Sequence, residues 1–202
     1  MVQGIALCVT YLPGLSVTYL AGSNRWRPCL SRRGQKDGPQ VWGKCCTLIK
    51  PRVYIETTIV SYLTARPSRS LENRVRQLST QRWWSTRQAN FECVASLLVR
   101  DECGAGNSDA AALRLGGLAG LELLLLTPAA VVLAEALIRP DALPRIAADD
   151  ALHIAICADH RIPFLLTWNF RHIANATIRE TVRSICLAHG FVLPTICTPD
   201  EL

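Results

Sequence analysis

"RVYIETTIVSYL", residues 52–63, decides the fold. Val53, Tyr54 and Ile55 are β-branched or aromatic with no polar residue between them, so residues 52–58 read as a short buried strand. Helical spacing follows at once: residues 59–89 read as helix, divided at Pro67 into a short piece and a longer one. The same succession recurs along the chain. "FECVAS" (91–96) is a second strand, and "SLLVRDEC" continues as a helix with Ser96 as N-cap and Gly104 as its stop. A short helix at 109–116 leads to a third strand, "LELLLLT" (121–127). Thr127 and Pro128 then open a helix to about Arg139, with proline at the favoured first position. The stretch "AADDALHIAIC" (147–157) builds the next helix, ending near His160, and "IPFLLTW" (162–168) is a fourth strand. A last helix covers about 176–189 and stops at Gly190, and "TIC" (195–197) supplies a fifth strand. Continuous apolar strands separated by helices imply an α/β fold, a central parallel sheet of four to five strands flanked by helices.

Charge and composition divide the chain at about residue 50. Residues 1–50 hold seven Lys/Arg and one acid, so this segment accounts for the whole net charge of +6. Residues 51–202 carry 15 Arg against 15 Asp/Glu and no lysine. The body is neutral and half of the chain is hydrophobic, enough to bury one sizeable core. Before residue 50, glycine and proline recur without a sustained helical or alternating period, so residues 1–50 read as a poorly ordered basic extension, of the kind a start codon placed too early would add. Residues 5–21 are apolar, but Pro13 breaks the run and no basic segment precedes it, which argues against a signal peptide or a membrane span. The nine cysteines include no C-x-x-C pair and lie mostly in apolar runs, which suits buried thiols in a reducing cytoplasm rather than a disulfide framework or structural zinc.

In a parallel sheet, function gathers at the carboxyl ends of the strands. Three acids fall at that edge. Glu56 closes a strand whose Val53 and Ile55 are core residues; Glu102 follows Leu98 by four and Val99 by three, on the inward stripe of its helix; Asp150 opens a helix buried nearly all round. Each has an ordinary explanation alone: a helix-start Asp is usually a cap, and a Glu near a helix end reaches solvent. Converging, three carboxylates repel one another, and a hard divalent cation relieves that repulsion. Such an ion also activates water and clamps phosphate. Of the paired aspartates, Asp150 is the favoured ligand and Asp149 serves the helix start or supports the ligand. His153, four after Asp149 and three after Asp150, reaches either carboxylate from the next turn. Neither His153 nor His172 has the partner spacing of a zinc site.

Residues 51–202 resemble the PIN-domain proteins, most closely the VapC-like ribonuclease toxins of bacterial toxin–antitoxin pairs. The resemblance rests on "VYIETTIVSYL", "DECGAG", "AADDALHIA" and "LLTWNFRHIANA", in that order. It implies a three-layer PIN-like sandwich and an acidic site that holds Mg²⁺ or Mn²⁺ and hydrolyses RNA phosphodiesters. On this chain the site maps to Glu56, Glu102, Asp150 and Asn169. Glu56, Glu102 and Asp150 are the metal ligands, and Asn169 stands where many members carry a fourth acid. Thr57, Thr167, Asp149 and His153 then orient those groups. The resemblance also implies an antitoxin as protein partner and leaves room for a homodimer. Seven arginines against two acids in residues 51–90 offer phosphate contacts, with Arg66, Arg69 and Arg74 foremost, although a solvated helix surface explains the same charges equally well.

Two other readings stay open. A catalytically weak PIN-like module would bind RNA or protein, and Asn169 favours it. An α/β phosphatase-like hydrolase would need an Asp nucleophile after the first strand, where Glu56 stands.

Overall fold

A computed structural model describes residues 50–202 throughout and, before them, only the backbone of three short strands. The chain divides into two units, Met1–Ile49 and Lys50–Leu202. In the first, β1 (Ala6–Thr10), β2 (Ser16–Leu20) and β3 (Arg27–Cys29) form an antiparallel sheet in that order. The sequence reading missed these strands because "ALCVT" does not alternate apolar and polar residues and the alternation in "SVTYL" stops after four residues. The remaining residues of the expected poorly ordered extension lie outside those described.

The second unit is α/β. Its strands are β4 (Arg52–Ile55), β5 (Glu92–Ser96), β6 (Glu122–Leu124), β7 (Phe164–Leu166) and β8 (Thr195–Cys197). Its helices are α1 (Thr57–Thr64), α2 (Leu71–Thr86), α3 (Leu97–Gly104), α4 (Ser108–Gly117), α5 (Pro128–Leu137), α6 (Ala148–Asp159) and α7 (Arg179–Ala188). All strand pairs are parallel, in the order β6-β5-β4-β7-β8. From β4 the chain steps outward to β5 and β6, then returns across the sheet to β7 and β8. With right-handed crossovers, this reversal puts α1–α4 on one face and α5–α7 on the other. The mutual packing of α1 with α2, α3 and α4, and of α5 with α6 and α7, agrees. The result is a three-layer sandwich, the architecture that the PIN resemblance implies.

Burial follows the apolar runs. Val53, Tyr54 and Ile55 of the central strand are sealed between the layers, as are Leu133 and Leu137 of α5 and Ile154 and Ile156 of α6. Three strands are shorter than expected, for one geometric reason. Ser96 pairs Leu124 and ends β5, because α3 starts at Leu97. No strand backbone remains for Leu125 and Leu126, which stand exposed just past the edge strand. Likewise Leu166 pairs Ile55, and β7 stops where β4 turns into α1 at Thr57. The expected strand at 52–58 therefore ends at Ile55, and the helix begins two residues earlier than its periodicity indicated.

The caps hold as read. Ser96 Oγ accepts from Val99 N at 3.2 Å, and Thr127 Oγ1 accepts from Ala130 N at 3.0 Å. Gly190 sits at φ +82°, the left-handed conformation that ends α7. Cys93, Cys103, Cys157, Cys186 and Cys197 are buried free thiols that pack as small apolar side chains. Among the described residues, no helix is long and apolar enough to cross a membrane.

Candidate functional site

β4 is the strand at which the sheet order reverses, and Glu56 is the residue that leaves it. The crevice outside the carboxyl end of such a switch point is where open α/β sheets place their ligands. Glu56 is only 3% exposed. Its Oε2 accepts from Thr167 Oγ1 at 2.7 Å and from the Thr58 hydroxyl. Thr58 Oγ1 in turn accepts from Trp168 N at 2.9 Å, which ties the start of α1 to the end of β7. Burial holds the Glu56 carboxyl above its ordinary range, against the opposing pull of His153 and the threonine hydrogen bonds.

Glu102 reaches the same crevice from α3, whose inward residues Val99 and Cys103 are fully buried. Its Oε2 accepts from the Thr57 hydroxyl and lies 3.1 Å from His153 Nε2. Burial pushes this carboxyl up, but the His153 hydrogen bond and charge, with Thr57, outweigh it and leave it below the usual value.

His153 is buried on α6 beneath these acids. Its Nδ1 lies 2.9 Å from the Tyr54 hydroxyl, which is 2.7 Å from Ser96 Oγ. Burial disfavours the imidazolium, but the Glu102 hydrogen bond and the charges of Glu56, Glu102 and Asp150 prevail and raise its pKa. The imidazole thus sits where the charges of all three acids act on it.

Asp150 enters from the first turn of α6. Because α6 runs back against the strands, its N-terminus lies at their carboxyl edge. Asp150 Oδ1 accepts from Asn169 Nδ2 at 2.7 Å, and its Oδ2 is 2.7 Å from His172 Nδ1. Asn169 Oδ1 accepts from His172 N at 3.1 Å, and Asn169 N donates to Thr167 Oγ1 at 2.9 Å. Asp149 is exposed, and its charge serves the positive end of the helix rather than the cluster.

The four predicted positions therefore lie at one edge of the sheet in two hydrogen-bond networks: Glu56, Asn169 and Asp150 are joined through Thr167, and Glu102 is held by Thr57 and His153. Two details differ from expectation. His153 hydrogen-bonds neither aspartate: it turns inward to Tyr54 and Glu102, while Asp150 turns to the 167–172 loop. Arg66, Arg69 and Arg74 make no hydrogen bond to the cluster; Arg66 lines a cleft of about 540 Å³ between α1 and α4. Tyr54, Thr58 and His172 were not singled out from sequence as partners of the acids. Tyr54 precedes Glu56 by two and so shares its face of the strand, a signal the sequence did carry. The His172 bond depends on a loop conformation that no periodicity encodes.

The donors suit a hard cation in kind: three carboxylates, with Glu56 Oε1 and Glu102 Oε1 free of the hydrogen bonds that hold their Oε2 partners, while the Asn169 oxygen is taken up by His172 N. Among the described residues, however, no three Asp, Glu, His or Cys side chains are gathered closely enough to grip one ion as they stand. Each acid is held by its own protein partners, so binding an ion would exchange hydrogen bonds for coordination. No family model, curated protein or solved structure matches the chain.

Proposed function

We propose that the chain is a metal-dependent endoribonuclease of the cytoplasm, acting as the toxin of a toxin–antitoxin pair. The observation that carries this reading is the convergence of Glu56, Glu102 and Asp150 around buried His153 at the switch point of the sheet. Acids so placed cost stability unless a charge compensates them, and a site kept at that cost has a chemical use. Glu56, Glu102 and Asp150 would hold Mg²⁺ or Mn²⁺, which supplies an acidified water and a clamp for the scissile phosphate. Thr167 and Thr58 fix the rotamer of Glu56, Thr57 fixes Glu102, and Asn169 with His172 fixes Asp150. The arginines of residues 66–87 lend positive potential to an RNA backbone.

The second reading, a weakly catalytic module that binds RNA or a protein, draws on Asn169. Its amide donates to Asp150, so this position brings a hydrogen-bond donor to the acids and no fourth charge. RNA cleavage by the full chain, with Mn²⁺ and with EDTA, separates the two. The nuclease reading expects cleavage that EDTA abolishes and that Asp150→Asn lowers by orders of magnitude, because the metal's contribution to phosphate hydrolysis is several kcal/mol. Asp150→Asn keeps the shape of the Asn169 and His172 contacts, so its melting temperature stays close to the parent's. Undiminished cleavage by Asp150→Asn at saturating metal rules the mechanism out. Cleavage seen only after Asn169→Asp establishes the binding module.

A further inference from the structure

Next to the acid cluster an aromatic ring faces solvent. Phe170 follows Asn169 and is 47% exposed. Its backbone is pinned: Phe170 N donates to Trp168 O at 3.0 Å, and Ala174 N to Asn169 O at 2.8 Å. The ring is braced from the protein side. The Arg76 guanidinium lies 5.4 Å from its centroid, and the Trp168 ring meets it at 6.1 Å and 63°. Arg76 is itself fixed by Glu72, by the Tyr62 hydroxyl at 3.3 Å and by the Trp168 ring. Arg76 and Trp168 cover part of the ring, and nearly half of the residue's surface remains open.

We infer that Phe170 is a stacking platform for one nucleobase of a single-stranded RNA whose backbone passes the acid cluster. This rests on the ribonuclease reading and adds to it a residue that sets how the strand is held. An exposed aromatic ring backed by a guanidinium is the arrangement single-strand binders use: the ring takes a base, and the cation beneath the ring strengthens the stack. Phe170 is the chain neighbour of Asn169, which donates to Asp150, so a base stacked there would bring its strand beside the acids. A held ring also loses little freedom on binding. Double-stranded RNA, whose bases are stacked internally, cannot use the platform.

The test is a binding cycle on the full chain, in EDTA and again in Mn²⁺. The probes are a short mixed-sequence single-stranded RNA and counterparts carrying an abasic nucleotide at successive positions. The parent is expected to lose affinity at one abasic position. Phe170→Ala is expected to weaken binding of the intact RNA roughly tenfold and to make that abasic position indifferent. Phe170→Trp restores both, and the melting temperature of each variant stays at the parent value because the ring is not core. If the parent binds RNA and Phe170→Ala binds it equally well, the stacking proposal is overturned and the ring is a protein-contact residue, with the ribonuclease reading intact. If the parent neither binds nor cleaves RNA, the ribonuclease reading fails and this inference falls with it.

Discussion

His153 faces the acids of the crevice, and its titration is measurable. The surrounding acids raise its pKa above the ordinary 6.5, although burial opposes them. A folded-state pKa above the unfolded one means that the native protein binds the proton more tightly. The stabilisation is complete below about pH 6.5 and is lost as pH climbs through the higher folded value. Thermal melts in EDTA from pH 6 to 9 should therefore show the parent losing stability as pH rises. His153→Gln keeps a hydrogen-bonding group toward Glu102 but cannot titrate. It should start less stable, because the acids lose their counter-charge, and its profile over that range should be flatter. A variant with the parent's pH slope would mean that another group governs the window. The same physics explains why Glu102 lies below its ordinary value and Glu56 above: Glu102 hydrogen-bonds the imidazole directly, whereas Glu56 is nearly sealed from water.

The element that links core to crevice is the turn from β5 into α3, where Ser96 acts in two directions. Its Oγ caps α3 through Val99 N and meets the Tyr54 hydroxyl, which in turn holds His153. Ser96→Ala removes the cap and strips the buried Tyr54 hydroxyl of one of its two partners, so a loss of about 1–3 kcal/mol is expected in denaturant unfolding. A loss no larger than that of an ordinary surface change would show that Tyr54 finds another partner. Ser96 as a cap was legible in the sequence, since a polar residue stands between an apolar strand and an apolar helical stripe. So was the order of strands and helices, because buried parallel strands are continuous apolar runs. Strand ends were not legible: β6 and β7 stop where their neighbours turn into helices, a fact of pairing rather than of local composition. The acids were legible by position, as carboxylates at the ends of buried runs. Their partners were not, because whether His153 turns to Glu102 or to Asp150 is settled by Tyr54 on another strand.

At the scale of the molecule, the division at Ile49–Lys50 makes a prediction about folding. The unit Lys50–Leu202 contains a complete five-stranded sheet, with apolar residues of both helical layers packed on it. It also contains both ends of every hydrogen bond in the acid cluster. Its central strand lies near its start: Arg52 bridges to Glu92 at 3.2 Å and also pairs with Glu122, so the first residues of the unit are tied to two neighbouring strands. A domain of this size buries about two thirds of the surface its unfolded chain exposes, enough for cooperative folding. A chain cut to residues 50–202 should therefore melt in one transition, within a few degrees of the second unit in the intact protein. A cut after Ile55 should not fold, because it deletes the strand on which both halves of the sheet pair. Calorimetry of the two fragments beside the whole chain is the measurement. If the 50–202 fragment is insoluble or melts without cooperativity, residues 1–49 contribute structure to the fold.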